Sequence, residues 1–487
     1  MIRNLYAVVE SCVQLGSSTT NWFQVHIGLR QGDTLSPILY IIFIDGLLQT
    51  IKAAKEGVSI GAVKLNNLAF ADDIALLAGS RSDMQRLLDL VHDYSRRWRF
   101  LFNVDKSKLL VFSTKRIHPN TQPLFLGIDR LEEVKVFKYL GVDFSFNLSW
   151  VNMKERVVKK TWSRLALVSN AVAQGLPPEA SLKVWYSLVR PLLEYASEIW
   201  NVSKWPEAER IQLEFGRKVL GVGPFTCSDV IRGELGLWTM EARGKLAILR
   251  WWGKLVSMKH DRLCYQIYHY RRANMLANKK SWCKKVRELL YELELGPVWE
   301  SEDISDLSWN EVLKLHIGQK ENKDWLHRIA ETSKLRLYRQ LKSELSFENY
   351  LKVVSDFKHR RTLARIRSGT HELSIETGRW AGESVNNRTC PTCLSGAVED
   401  EAHLLLDCIS YDTLRGEMLE KIRVRTGDRV RFNLLDDDHG LLAQSLLGER
   451  ILDTGNKAIT QREVAKFSLS STQAKTSTEL TLLVARQ

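Results

Sequence analysis

The sequence predicts an α+β protein that is mostly α-helical. In the first 150 residues, short apolar arms alternate with glycine- and aspartate-containing breaks, a pattern typical of strands and tight turns around a helix. From residue 151 onward, apolar residues recur at helical spacing, as in Val157, Leu165 and Val168. The 487 residues allow roughly two to four domains. With 44% hydrophobic and 26% charged residues, the composition is that of a folded chain.

The charge balance and the cysteine content narrow the class of protein. A formal net charge of +13 and a pI near 9.3 indicate a polyanionic partner, most commonly a nucleic acid. No apolar run approaches the roughly 20 residues needed to span a bilayer, and the first residues lack the features of a secretory signal. Seven scattered cysteines argue for a reducing compartment. We therefore expect an intracellular protein, in cytoplasm and nucleus, without a membrane partner and of unknown oligomeric state.

Two adjacent aspartates, Asp72 and Asp73, lie between short apolar arms that extend from Leu68 to Leu77. Each arm is long enough for a strand, and the polar break suits a hairpin. Two carboxylates at such a turn are suitable ligands for a hard divalent cation such as Mg²⁺. Taken alone, the pair is more often a solvated turn, so the neighbouring segments decide between the two interpretations.

A loop with two glycines precedes a long apolar run over residues 38–51. Ser36 is the predicted N-cap of the helix that follows, and Pro37 its first residue. Gly28 and Gly32 allow the backbone to approach a ligand closely, although an ordinary glycine loop explains them equally well. The candidate ligand-contacting residues of this loop are Arg30, Gln31 and Gly32.

Four segments, in this order and spacing, resemble the reverse transcriptases of non-LTR (LINE-type) retrotransposons. The first two are the glycine loop, residues 28–37, and the segment Phe70-Ala71-Asp72-Asp73. Residues 103–112 resemble the family's next palm motif, and residues 137–142 resemble its primer-grip hairpin. Four motifs in register are far more specific than any one of them.

The resemblance implies an RNA-directed DNA polymerase, a nucleotidyltransferase that uses two Mg²⁺ ions to activate a primer 3′-hydroxyl and to stabilise the leaving pyrophosphate. The implied partners are an RNA template, a DNA primer or target and deoxynucleoside triphosphates. Asp72 and Asp73 match the catalytic metal ligands. The remaining matches are Arg30, Gln31 and Gly32 for template and nucleotide, Lys106 or Lys108 for the palm lysine, and Phe137, Lys138, Tyr139, Leu140 and Gly141 for the primer grip. A solvated lysine explains Lys106 and Lys108 at least as well.

One departure from the family concerns a further metal-binding aspartate, which lies upstream of the glycine loop and follows basic fingers. Residues 1–27 contain no aspartate, and their one acid is Glu10. Asp33 and Asp45, the nearest acids downstream, lie in the loop and in the helix. We therefore expect an N-terminally truncated copy that does not polymerise alone. The alternatives are a non-catalytic RNA- or DNA-binding protein derived from a retrotransposon and, with weaker support, a viral RNA-dependent RNA polymerase.

Beyond the palm, the expected organisation is helical, with residues 189–200 resembling the segment that follows the palm in the family. Tryptophans spread through residues 235–350 are more often core than base-stacking residues. The expected domains are residues 1–150, a partial palm without fingers and first catalytic strand; 151–235, a helical thumb; 236–380, a helical connector with a basic helix; 381–420, a zinc knuckle; and 421–487, a C-terminal segment with a mobile tail from residue 453.

The second chemical motif comprises Cys390, Cys393, His403 and Cys408. Three thiolates and one imidazole can close a tetrahedral, structural Zn²⁺ site, and the spacing resembles the C-terminal Cys-Cys-His-Cys motif of non-LTR elements. Coincidence of one or two members is the alternative. Because His403 and Cys408 are five residues apart, they do not share a face of a regular helix, and the chain must leave the helix before Cys408.

A basic helix over residues 358–367 precedes the knuckle. Helix and knuckle together are a candidate grip for RNA or DNA, with charge supplied by the helix and rigidity by the metal. Packing of the helix on the knuckle as a scaffold is the alternative. The candidate nucleic-acid contacts are Arg360, Arg361, Arg365 and Arg367.

Overall fold

The computed structural model describes residues 2–30, 32–113, 122–201, 204–277, 281–304, 308–427, 446–447 and 453–485. The chain divides into two compact units. The N-terminal unit consists of Met1–Ser149 with His260–Tyr270, and the helical unit consists of Trp150–Lys259 with Arg271–Gln487. Helices predominate, which confirms the predicted mostly α composition.

Short strands make up the β-structure of the N-terminal unit. In the described residues they form seven two-stranded ladders, all antiparallel except the β9–β12 pair. The strands are β1 (Glu10–Ser11), β2 (Gln14–Leu15), β3 (Ser18–Thr19), β4 (Phe23–Gln24), β5 (Val58–Ile60), β6 (Val63–Leu65), β7 (Asn67–Phe70), β8 (Asp73–Leu76), β9 (Lys108–Leu109), β10 (Phe125–Leu126), β11 (Asp129–Arg130), β12 (Glu132–Glu133), β13 (Val136–Tyr139) and β14 (Val142–Ser145).

The N-terminal unit begins with a short helix, α1 (Ile2–Leu5). Its two long helices, α2 (Ser36–Ala53) and α3 (Arg81–Trp98), pack against each other. Leu47 of α2 and Leu87 of α3 are fully buried in one apolar core, which also contains Leu109 and Leu126. This core supports the β7–β8 hairpin, because Ile74 and its strand neighbours pack on it.

The start of α2 differs from the prediction in its capping. Leu35 is the N-cap residue, and Ser36 is already the first helical residue. The Ser36 hydroxyl donates to the Arg30 carbonyl at 2.7 Å, while the Asp33 carboxylate accepts from the Leu35 amide at 3.0 Å. The serine therefore fixes the preceding loop rather than capping the helix.

Among the described residues, one helix has the length and composition to cross a membrane. That helix is α2, with a mean hydropathy of 1.3 over 18 residues, 22% of which are buried. Core helices of soluble proteins pass the same test, so these two properties do not by themselves assign α2 to a membrane.

The helical unit is built from helices of 4 to 32 residues. They are α4 (Val151–Ala173), α5 (Pro178–Val184), α6 (Arg190–Glu194), α7 (Ser197–Trp200), α8 (Pro206–Leu220), α9 (Ser228–Leu235), α10 (Met240–Val256), α11 (Leu263–Ala273, shared with the N-terminal unit), α12 (Trp282–Glu292), α13 (Gly296–Ser301), α14 (Trp309–Glu331), α15 (Tyr338–Leu341), α16 (Tyr350–Val353), α17 (Phe357–Arg367), α18 (Ser374–Trp380), α19 (Asp412–Arg425) and α20 (Thr454–Ala485).

Tryptophans of the helical unit lie mainly in its core. Trp252, Trp299 and Trp325 are fully buried, and Trp325 also donates its indole N–H to the Asp229 carbonyl at 2.8 Å. Buried indoles contribute large apolar areas and cannot stack on bases. Among the cysteines outside residues 390–408, the sequence predicts small buried apolar residues; Cys283 is buried, whereas Cys264 is exposed.

A π-helical segment, Trp185–Val189, joins α5 to α6. The sequence predicts that the helix stops near Pro191, but helical structure continues to Glu194. A proline lacks the backbone N–H needed for a regular helical hydrogen bond, and the wider π turn just before it accommodates this defect.

The prediction of a mobile tail from residue 453 is wrong for the first part of that segment. Helix α20 begins at Thr454 and packs against α17 and α19, with Val464, Ala465 and Ser468 fully buried. Small side chains allow the helices to approach closely, and buried hydroxyls bond to their own helix, as Ser468 does to the Val464 carbonyl at 2.7 Å. A segment with few large apolar residues can therefore still form part of a core.

Replacing Val464 with alanine is expected to destabilise the helical unit by about 2 kcal/mol, because it removes two buried methyl groups and leaves a cavity. Ser470→Ala, at an exposed position of α20, is the matched control and should change the free energy of unfolding by less than about 0.5 kcal/mol. Thermal unfolding followed by circular dichroism measures both. Equal stability of the two variants would show that α20 is not packed.

Candidate functional site

The predicted acidic hairpin is present. Strands β7 and β8 pair so that Phe70 lies opposite Asp73, and Ala71 and Asp72 form the two-residue turn. Ala71 has a φ of +51°, in the left-handed region that disfavours residues with a side chain. Backbone strain of this kind is concentrated at functional sites. The hairpin holds both carboxylates at the exposed end of a two-stranded stem.

Two tyrosines lie close enough to the acidic turn to sense its charges. Burial raises the pKa of Tyr40 on α2, and the charge of Asp72 raises it further. Burial likewise raises the pKa of Tyr139 on β13, with an added contribution from Asp73. Both phenols are thus protonated hydrogen-bond donors near the carboxylates. Tyr40 was missed by sequence reasoning because it occurs within an apolar helical run.

The glycine loop leaves open space beside its backbone. Gly28 and Gly32 have φ values of +106° and +89°, and a Cβ at either position would meet no atom within 4 Å. Glycine is therefore required by the backbone conformation, and the side facing away from the chain is accessible to a ligand. The Arg30 guanidinium lies 5.5 Å from the centre of the Tyr6 ring. Gln31 lies outside the described residues.

The two candidate palm lysines differ in their surroundings. Lys108, on β9, donates to Glu132 at 2.8 Å across the parallel pairing with β12. Lys106 is exposed in the preceding turn, where its backbone amide donates to the Asn103 side chain at 3.0 Å. The Lys108 ammonium is therefore committed to a structural ion pair, which leaves Lys106 as the better candidate for a phosphate contact.

The candidate primer grip is a second tight hairpin. Strands β13 and β14 pair in register, with Phe137 opposite Phe144 and Lys138 opposite Asp143. Leu140 and Gly141 form its turn with φ values of +47° and +82°. Positive φ at both central residues is the geometry that matches the natural twist of a hairpin. Through Tyr139, this hairpin approaches the acidic turn.

Comparison with known proteins decides the nature of this region. Residues 1–144 match the reverse transcriptase (RNA-dependent DNA polymerase) family. Over 332 residues, 65% of this chain, the sequence is 26% identical to the retrovirus-related Pol polyprotein from type-1 retrotransposable element R2 of Popillia japonica, of which 52% is covered. Because that alignment is longer than 144 residues, the similarity extends beyond the reverse-transcriptase region.

Two further relatives carry related names. Over 125 residues, 24% of this chain and 12% of the relative, the identity is 34% to the retrovirus-related Pol polyprotein from type-2 retrotransposable element R2DM of Drosophila melanogaster. Over 230 residues, 44% of this chain and 24% of the relative, it is 25% to the probable RNA-directed DNA polymerase from transposon BS of the same organism. The chain thus spans about half the length of the Popillia polyprotein and less of these two.

By resemblance, then, the chain is similar to RNA-directed DNA polymerases, a class of nucleotidyltransferase, over residues 1–144, and to proteins of retrotransposable elements over a longer span. Within the reverse-transcriptase region, the structure brings the acidic turn, α2 and the β13–β14 hairpin into one neighbourhood.

A second candidate site, in the helical unit, gathers the four predicted zinc ligands. Their ligand atoms all lie within 4.8 Å of one another. The sulfurs of Cys390 and Cys408 are 4.0 Å apart, and the Cys393 sulfur lies 3.4 Å from Nε2 of His403. A tetrahedral ion with Zn–S of about 2.3 Å and Zn–N of about 2.0–2.1 Å places sulfurs about 3.8 Å apart and sulfur about 3.6 Å from nitrogen. The donor set and spacing fit a zinc knuckle.

A π turn brings His403 and Cys408 together although they are five residues apart in the sequence. Residues His403–Asp407 form a π-helix, and the Cys408 amide donates to the His403 carbonyl at 2.8 Å. Cys408 itself is extended, so the chain leaves the helix at the expected point. A π turn brings residues five apart together, which a regular α-helix does not.

Without a metal ion, the thiols differ strongly in acidity. Burial raises the pKa of Cys408 to about 12 and also raises that of Cys390. Burial opposes ionisation of Cys393 as well, but hydrogen bonds from Ser395, Cys390 and His403 lower its pKa to about 6. A bound metal ion would offset this effect of burial, because it favours the deprotonated thiolates.

Acidic residues 399–401 support this cluster from outside. Glu399 is buried, accepts from the Ser374 amide and hydroxyl at 2.7 and 2.8 Å, pairs with Lys475 at 2.8 Å and lies 3.9 Å from the Cys390 sulfur. Asp400 accepts from the His403 amide at 2.8 Å. These contacts fix the backbone around the ligands. These contacts depend on tertiary packing, so the acidic sequence of residues 399–401 does not by itself reveal them.

The predicted nucleic-acid grip is wrong for two of its four arginines. Arg360 is buried and donates to the Val354 carbonyl at 2.9 Å and to the Ser355 carbonyl. Arg367 is fully buried and pairs with Glu234 and Glu348 at 3.1 and 3.0 Å. A buried guanidinium held by protein acceptors cannot reach a phosphate.

The other two arginines lie at the surface to different degrees. Arg365 pairs with Glu372 at 2.9 Å and donates to the Thr370 carbonyl. Arg361 is exposed, and its guanidinium makes no ion pair in the described part of the chain. Helix α17 is therefore chiefly a structural element, and Arg361 is its remaining candidate for nucleic-acid contact.

Proposed function

We propose that the chain is the polymerase portion of a non-LTR retrotransposon protein, extending a DNA primer on an RNA template by two-metal nucleotidyl transfer. The observation that carries the proposal is the exposed acidic hairpin, in which a strained two-residue turn presents Asp72 and Asp73 within the matched reverse-transcriptase region. Cations bridged by such carboxylates would polarise the primer hydroxyl and the nucleotide phosphates.

Other residues would orient the substrates around these carboxylates. The open side of the Gly28–Gly32 backbone would face template and incoming nucleotide, and Lys106 would contact phosphate. The β13–β14 hairpin would hold the primer backbone, with the Tyr139 hydroxyl as a hydrogen-bond donor close to Asp73. Positioning of this kind supplies much of the rate in phosphoryl transfer, since the protein does little covalent chemistry.

The third metal-binding carboxylate of the family has no match in these 487 residues, because residues 1–27 contain no aspartate. We infer that a polypeptide of this sequence polymerises poorly by itself, since two carboxylates fix two metal ions weakly. A second candidate function, an RNA- or DNA-binding protein derived from a retrotransposon that acts without catalysis, accords with the net charge of +13.

The Cys3His cluster would hold a structural Zn²⁺, with all four positions filled by protein. Its role would be to stabilise the region between α18 and α19 rather than to take part in nucleotide transfer. An intracellular location, in cytoplasm and nucleus, accords with free cysteines and a metal-thiolate site.

Primer extension on an RNA template with Mg²⁺ tests the proposal. Incorporation by the 487-residue polypeptide is expected to be weak, and Asp72→Ala should reduce it at least about a hundredfold, because a metal ligand at the transferring phosphate is lost. Asp45→Asn, on the exposed face of α2, is the matched control and should leave incorporation unchanged.

The same assay separates the two candidate functions. Incorporation that depends on Asp72 supports the polymerase. Template-primer binding with no incorporation, in the parent and in both variants, supports the binding protein. Incorporation that is equal in the parent and in Asp72→Ala would rule out the acidic hairpin as the catalytic site.

A further inference from the structure

A small cavity in the helical unit is lined by two arginines and a tyrosine. Its volume is about 100 Å³, and it lies between the π-helical segment, α8, α10 and the loop after α9. Tyr186 comes from the π-helical segment, Arg190 from the start of α6, Gln212 from α8 and Arg243 from α10. This space is well above the roughly 10–15 Å³ that one water requires.

The two guanidinium groups share a single carboxylate. Nε of Arg243 donates to Glu194 at 2.8 Å, whereas Nε of Arg190 lies 3.4 Å from Glu194 without forming a hydrogen bond. That Arg190 nitrogen is buried and has no acceptor. Two positive charges against one negative charge leave the cavity with an excess of one positive charge.

Unused hydrogen-bond donors surround the cavity. In the described part of the chain, the terminal nitrogens of Arg190 and Arg243 donate to no protein acceptor, and the Tyr186 hydroxyl makes no hydrogen bond. The Arg190 guanidinium stacks on the Tyr186 ring at 4.4 Å, which fixes the orientation of its planar fork. Gln212 is not available, because its amide donates to the Trp238 carbonyl at 2.9 Å.

The electrostatics of the cavity favour an anion. Burial lowers the pKa of Arg190, and the charges of Arg243 and Arg250 lower it further against the opposing effect of Glu194. Burial raises the pKa of Tyr186, so the phenol keeps its proton and can donate it in a hydrogen bond. An anion would relieve the repulsion between the arginines and accept from donors that have no protein acceptor, the buried Nε of Arg190 among them.

We propose that Arg190, Arg243 and Tyr186 form a binding site for a phosphate group in the helical unit, outside the reverse-transcriptase match. Planar guanidinium forks bind phosphate through paired hydrogen bonds, and the phenol adds a third donor. The source of the phosphate is a nucleic-acid backbone or free phosphate. The backbone source rests on the proposed function, whereas the site itself does not.

Binding of a fluorescent oligo(dT) strand to the 487-residue chain, measured by anisotropy across a salt series without Mg²⁺ or nucleotides, tests the backbone source. Arg190→Gln and Arg243→Gln are each expected to weaken binding roughly tenfold. Each should also reduce the slope of log affinity against log salt by about 0.7, the value for one lost phosphate contact on a single strand. Arg190→Lys, which keeps the charge but loses the fork, should be intermediate.

Lys421→Gln is the matched control, because it removes one exposed positive charge from α19, and it should leave the slope unchanged. Inorganic phosphate provides the second arm: it should raise the melting temperature of the parent chain and of Lys421→Gln but not of Arg190→Gln. A response to phosphate with an unchanged oligonucleotide slope assigns the site to free phosphate. Absence of both responses in the parent, or equal responses in Arg190→Gln, overturns the site. Polymerase activity enters neither arm, so failure of the proposed function does not affect this result.

Discussion

Replacing Arg367 with alanine is expected to destabilise the helical unit by about 3–5 kcal/mol, the cost of breaking a buried ion pair by removing one partner. The Arg367 side chain is 0% exposed and binds the Glu234 carboxylate through Nε and Nη2, each at 3.1 Å. Alanine at this position leaves Glu234, which is also fully buried, without a positive partner.

The ion pair belongs to a buried network of four charged groups that sum to zero. Arg367 also contacts Glu348 at 3.0 Å, and Glu348 pairs in turn with Lys342. Burial acts to raise the pKa of Glu348, but Arg367 and Lys342 outweigh it and lower the pKa, which keeps the carboxylate ionised. The network joins α9, α17 and the segment before α16, so its loss affects three elements at once.

A double variant separates charge from packing. Glu234→Gln combined with Arg367→Met removes one charge of each sign and leaves the neutral pair Lys342–Glu348. It should recover a large part of the loss, because no unpaired buried charge remains. Urea unfolding followed by tryptophan fluorescence measures each step. If the Arg367→Ala variant were as stable as the parent, the buried ion-pair network would not contribute to stability as expected.

Arg361→Ala is the matched control on the same helix. Since Arg361 is exposed, its removal should change the free energy of unfolding by less than about 0.5 kcal/mol. If the helix contacts nucleic acid at all, the effect should appear as weaker oligonucleotide binding in Arg361→Ala. The two variants therefore assign structural and binding roles to neighbouring residues of one basic run.

Local patterns predicted the hairpins and the convergence of the Cys3His side chains well, because their determinants lie close together in the chain. The acidic turn needs two apolar arms and a polar break, all within residues 68–77. The zinc ligands span 390–408, and only the π turn before Cys408 was not specified by the spacing. In each case, the residues that determine the structure lie within one short segment of the chain.

Roles that depend on distant partners could not be predicted in this way. Arg367 lies 133 residues from Glu234 in sequence, so a basic run looks the same whether its arginines face solvent or a buried carboxylate. The packing of helix α20 could not be predicted for the same reason. Its small and hydroxyl-bearing residues become part of the core only where α17 and α19 cover them. The cavity at Arg190 likewise combines elements whose sequences carry no shared motif.

The zinc cluster gives the second large expected effect. A Cys408→Ser variant is expected to bind no zinc, because Cys408 is completely buried and would supply one of the four ligands. Structural zinc contributes about 10–16 kcal/mol of apparent binding free energy in zinc-finger peptides. Its loss should therefore unfold the segment between α18 and α19 locally rather than weaken it slightly.

The consequence should extend beyond the ligands, because the cluster is tied to its surroundings. The Arg415 side chain donates to the Leu405 and Cys408 carbonyls at 3.0 and 2.7 Å, and Glu399 links the cluster to Lys475 of α20. We expect faster proteolysis around residues 385–411 in Cys408→Ser and in the parent chain after chelation. Cys264→Ser, which changes an exposed cysteine outside the cluster, should retain one zinc ion per chain and the parent's resistance. Zinc content after gel filtration is the direct measurement. A parent chain that is folded, resistant to proteolysis and free of metal would exclude a structural zinc site.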